Sequence, residues 1–112
     1  MDGHWAIQLS SKRDGIVDKK QTAETGSHTF RYPDILDEYE ALKARFPDVN
    51  VVLIRGSAIS SKPGNISLYV TIADPGGLTT RDEVLTWCKG RFPNLGKDAR
   101  LNVCYPRKLE HD

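Results

Sequence analysis

Two periods of hydrophobicity alternate along this chain, and their order leaves few folds open. Residues 4–10 alternate, with Trp5, Ile7 and Leu9 set against His4, Ala6, Gln8 and Ser10, which is the period of a half-buried strand. Residues 66–72 do the same, with Ile66, Leu68, Val70 and Ile72 set against Ser67, Tyr69 and Thr71. Between these runs Ile35, Tyr39, Leu42 and Phe46 fall at helical spacing. Pro33 presets φ at the start of that helix, Asp34 and Asp37 complement its dipole, and Pro47 stops it. Residues 49–55 are short and rich in β-branched side chains, so they read as a buried strand. Thr80 and Glu83 have the spacing of a capping box, in which each satisfies a free backbone N–H of the other. Val84, Leu85, Cys88 and Phe92 continue a second amphipathic helix that ends near Pro93. Residues 100–104 alternate once more as a short last strand, and Pro106 ends it.

The order strand, helix, strand, strand, helix, strand predicts an α+β fold of the ferredoxin-like (RNP-like) βαββαβ type. Its sheet is four-stranded and mostly antiparallel, both helices cover one face, and the other face is open to solvent. Residues 11–31 show no sustained period and read as a long loop, with local pairing around Gly15-Ile16-Val17 and Thr29-Phe30. Residues 56–64 form a second loop, broken by Lys62-Pro63-Gly64, and Asp74-Pro75-Gly76-Gly77 is a turn. A chain of 112 residues supports one core of this size, so residues 1–112 are read as a single domain.

Charge narrows the function classes. Sixteen Lys and Arg against fifteen Asp and Glu leave +1, too little to draw the whole molecule to nucleic acid or to an anionic membrane. No run approaches the roughly 18 to 20 apolar residues that span a bilayer, and Met1-Asp2-Gly3-His4 does not open a signal peptide. The expectation is a cytoplasmic protein if the chain is complete, or an extracytoplasmic domain if it belongs to a secreted or membrane-anchored parent.

Catalytic and metal constellations are missing from the pattern. His4, His28 and His111 lack metal-ligand spacing. Ser60-Ser61-Lys62 is a turn before Pro63-Gly64 with no partner motif. The carboxylates of Asp37, Glu38 and Glu40 sit on a solvated helix. The chain is therefore expected to be no enzyme and to need no cofactor. Cys88 and Cys104 form no Cys-x-x-Cys pair, and on the residues alone two buried thiols and a disulfide both stay open. Trp5 and Trp87 read as core packing.

Trp5-Ala6-Ile7-Gln8-Leu9-Ser10-Ser11 resembles the opening strand of SPOR (sporulation-related repeat) domains. Residues 65–72 and then 78–88 are similar to the third strand and second helix of that family. Trp87-Cys88 with a later Cys104 is similar to the SPOR-like domains of actinobacterial surface and signalling proteins, in which a helix cysteine faces one in the last strand. The resemblance implies a Cys88–Cys104 disulfide. It also implies binding of peptidoglycan glycan strands on the open sheet face, so that a parent protein is localised at the cell wall in division. Carried onto matching positions, the ligand-binding residues would be Gln8, Ser10, Tyr69 and Thr71, with Arg55 on the second strand as a further candidate. The long 11–31 loop and the Ala73-Asp74-Pro75-Gly76-Gly77 turn differ from the family pattern, which motivates an alternative: a protein-interaction domain that keeps the fold without binding glycan. Single-stranded RNA binding is disfavoured, because only Tyr69 would offer a stacking surface on the central strands.

Overall fold

The computed structural model describes residues 4–17, 23, 26–55 and 68–108. Residues 56–64, Ile66, Ser67, His111 and parts of the 11–31 segment, each given a role above, lie outside the described residues.

The fold is the expected ferredoxin-like α+β arrangement. Strands β1 (Trp5–Lys12), β4 (Asn50–Arg55), β5 (Tyr69–Asp74) and β6 (Tyr105–Lys108) form one sheet in the order β4-β5-β1-β6, with every neighbouring pair antiparallel. Helices α1 (Tyr32–Arg45) and α2 (Arg81–Arg91) cover one face. Two short strands, β2 (Ile16–Val17) and β3 (Thr29–Phe30), pair beside this sheet within the long loop.

Local chemistry sets the helix ends where the sequence placed them. Pro33 sits in the first turn of α1, and the Asp34 carboxylate accepts the Arg31 N–H at 2.8 Å. Asp14, from the turn before β2, accepts the Tyr32 N–H at 2.8 Å and so ties the loop to the helix start. In α2 the Glu83 N–H donates to Thr80 Oγ1 at 3.2 Å and the Thr80 N–H donates back to Glu83 Oε1 at 3.0 Å. Hydrogen bonds from Thr79, first its hydroxyl and then its N–H, hold the Glu83 carboxyl below the usual carboxylate range. The turn before α2 needs its glycines, since Gly76 and Gly77 take φ of 78° and 76°.

The core lies between the helices and the sheet. Ile7, Leu9, Val51 and Ala73 from the strands meet Phe46, Val84, Cys88 and Phe92, and Trp5, Trp87, Tyr39 and Leu42 pack around them. The Cys88–Cys104 disulfide, with Cα atoms 5.8 Å apart, closes this core between α2 and the start of β6.

Three expectations are corrected. First, residues 100–104 are not the last strand. Helix α3 (Lys97–Val103) occupies that stretch, with the Arg100 N–H on Gly96 O at 2.8 Å and the Arg100 guanidinium on Leu95 O at 3.2 Å. The strand follows it and contains Pro106, which an edge strand tolerates because one side of its backbone has no neighbour to bond. Second, β1 runs on to Lys12 and carries a bulge, since Gln8 opposes Ile72 while Ser10 opposes the next residue back, Thr71. One extra residue reverses the facing of all that follows. Ser10 and Lys12 therefore point at α1.

Third, β5 presents its faces the other way round. Ala73 stands opposite Ile7 in the core, and the same side carries Thr71 and Tyr69. The row Val70, Ile72 turns to the far face. With Ala6 these form a second buried cluster, against which Val52, Ile54 and Leu68 pack. The far face is apolar at its centre rather than a solvated polar surface.

Candidate functional site

The bulge and the short length of β6 together create a cleft. β6 pairs with β1 only from Trp5 to Gln8, where Gln8 opposes Tyr105. Beyond Gln8 the strand continues, and the chain entering β6 comes from α3 instead of a longer strand. The space between holds about 400 Å³. β1 lines it with Gln8, Ser10, Ser11 and Lys12, α3 with Leu101 and Asn102, and β6 with Tyr105 and Arg107.

Its polar groups are oriented. Arg107 donates from Nε and Nη2 to Gln8 Oε1 at 3.1 and 2.6 Å, which fixes the amide and leaves its NH₂ group as the free donor end. Tyr105 and Arg107 are two residues apart on one strand and so project to the same side. Tyr105 is 42% exposed, so its ring is open to the recess. The arrangement offers an aromatic surface, an amide and a guanidinium within one polar recess. Such a set binds hydroxyls, amides and anions.

The residues expected on one solvent-facing sheet surface are separated. Gln8 is in the cleft. Ser10 reaches it too but is 7% exposed, and its hydroxyl is bonded to Glu38 of α1 and to Lys12 Nζ. Thr71 is 1% exposed under the helices. Tyr69 packs against the Phe30 and Ile35 cluster, its ring 5.0 Å from that of Tyr32. Arg55 lies over the Tyr69 ring at 4.9 Å and donates to its hydroxyl at 3.2 Å. Arg55, Tyr69 and Tyr32 thus make a second, smaller aromatic patch on the α1 side of the sheet. His4 faces Asp74 at 2.9 Å and His28 is exposed.

Sequence reasoning missed Tyr105 and Arg107 because the last strand was ended at Pro106. The available signal was the Tyr-Pro-Arg-Lys run after Cys104, whose first and third residues share a side if it is read as a strand. It also missed the ion pair that fixes the opposite end of β1. Lys12, 2% exposed, donates to both Glu38 carboxylate oxygens at 3.0 and 2.8 Å, and its ammonium lies 4.5 Å from the Phe30 ring centre. No protein-family model, curated protein or solved structure matches this chain.

Proposed function

We propose that this domain is a non-catalytic binding module, and that its cleft takes a peptidoglycan glycan strand. The supporting observation is the cleft itself, in which Tyr105, the Gln8 amide and Arg107 meet. A sugar ring presents an apolar face to an aromatic side chain and hydroxyl and acetamide groups to amide and guanidinium donors. Removal of the stem peptide leaves a free lactyl carboxylate on the strand, an anion that suits Arg107 in a charge-assisted hydrogen bond. The resemblance of the β1 sequence to SPOR domains points to the same ligand, at the β6 edge of the far sheet face, where Gln8, Tyr105 and Arg107 stand. The Cys88–Cys104 bond fits an extracytoplasmic parent, since such bonds persist in oxidising compartments.

Co-sedimentation with purified sacculi, before and after an amidase strips the stem peptides, tests this reading. Retention is expected on stripped sacculi, with loss in Arg107→Ala and Tyr105→Ala. Equal failure of the unaltered protein on both preparations would remove the proposal. The protein-partner alternative is favoured by the far-face row of Val52, Ile54 and Leu68, which are only partly buried. Variants in that row, such as Val52→Ser, should leave sacculus binding unchanged if the cleft is the site.

A further inference from the structure

A second recess lies on the helical side of the molecule, and its chemistry differs from that of the cleft. It holds about 320 Å³. Leu9 from β1, Leu42 from α1, Phe92 and Leu95 from the turn after α2, and Val103 from α3 supply apolar lining. Three charged side chains border it: Glu38, Arg45 and Arg91.

Two of the three are already matched. Arg91 donates to both Asp48 carboxylate oxygens, Nη1 at 3.0 Å and Nη2 at 2.5 Å, and this bond holds the Asp48 carboxyl below its usual range and the guanidinium above its own. Glu38 accepts from Lys12 and Ser10. Arg45 has no carboxylate partner among the described residues, and its guanidinium lies over the Phe92 ring at 4.5 Å and the Phe46 ring at 5.1 Å. A guanidinium lying over rings keeps its N–H donors at its edge, in the plane where a carboxylate bonds them. One unmatched positive charge thus stands at the rim of an apolar trough.

We infer that this groove binds a small aliphatic carboxylate, with the chain along Leu42, Leu95 and Val103 and the carboxylate on Arg45. The volume sits at the lower end of ligand pockets, about 300 Å³, so a chain of modest length fits. The site is independent of the cleft, and neither reading depends on the other.

Octanoate is the probe. In a titration of the full chain with labelled methyl groups, Leu9, Leu42, Leu95 and Val103 should shift saturably, with a Kd on the order of 1 mM or tighter. Arg45→Gln should weaken binding about tenfold or more. Arg45 is exposed, so unchanged shifts elsewhere will certify the fold of that variant. No methyl shift with octanoate would overturn the inference. Octanol binding as tightly as octanoate would overturn the role of Arg45, and tighter binding of a short peptide with an apolar C-terminal residue would overturn the aliphatic assignment.

Discussion

The two strand–helix units of this domain are pinned by different chemistry. In the first, the far end of β1 is tied to α1 by Lys12, buried to 2% exposure, on Glu38, with Ser10 completing the cluster and Phe30 beneath the ammonium. In the second, α2 is tied to the start of β6 by a covalent bond, Cys88 to Cys104. An ion pair holds only while both partners are charged and matched. A disulfide holds against any change that leaves it oxidised. The covalent tie stands beside the candidate cleft, since Cys104 directly precedes Tyr105, and the ionic tie stands at the cleft's far end, where Lys12 also contributes to its lining.

Removal of one member of the ionic tie should have the largest effect. Lys12→Met leaves Glu38 unmatched against an apolar neighbourhood, and we expect a loss of about 3 kcal/mol or more in urea unfolding. Lys12→Met combined with Glu38→Leu should recover most of that loss. A single variant within a few tenths of the unaltered protein would show that the first unit does not depend on the pair. Cys88→Ser with Cys104→Ser comes next. The cysteines are 16 residues apart, and opening a loop of that size costs about 3 kcal/mol. A Tm insensitive to reductant would contradict the comparison from the other side.

A smaller effect belongs to the start of α2. Thr80→Ala removes the hydroxyl that accepts the Glu83 N–H, and a lost cap costs about 1 kcal/mol, read from the same unfolding curves. The smallest concerns acid. Glu83 and Asp48 have carboxyls depressed in the folded state, by the Thr79 hydroxyl and by Arg91 respectively. The unfolded chain therefore binds protons at a higher pH than the folded one. Both contributions are fully present above the ordinary carboxylate range of about pH 4 and fade as pH falls through the depressed values. Glu83→Gln combined with Asp48→Asn should flatten the acid limb of a stability–pH profile slightly. An unchanged limb would remove these two groups from the account.

Much of the fold could be read from periodicity, and the reasons it ran out are local. Pro33, Pro47 and the Thr80–Glu83 box mark helix ends by chemistry that tertiary packing did not override. The faces of β5 were not legible, because Val70 and Ile72 on one side and Thr71 and Ala73 on the other are all buried, and alternation names a core face only when the other is wet. The bulge at Leu9 and Ser10 has no glycine to announce it. Arg-Leu-Asn-Val, too short to separate a strand from a helical turn, fell to α3. Of the candidate site, Gln8 was legible as the polar residue of an alternating strand. Tyr105 and Arg107 were hidden behind a proline that an edge strand accepts, and the Lys12–Glu38 pair joins residues 26 apart in sequence that no local pattern links.

The recess between β1, α3 and β6 is the proposed binding site of this domain. The most direct measurement is a titration of the labelled chain with a stem-peptide-free glycan oligosaccharide, following the Gln8 side-chain amide, the Asn102 amide, the Tyr105 ring and the Arg107 Nε–H. Saturable shifts at these four groups, with Val52 and Ile54 unmoved, are predicted. Shifts confined to Val52, Ile54 and Leu68, or none at all, would contradict it.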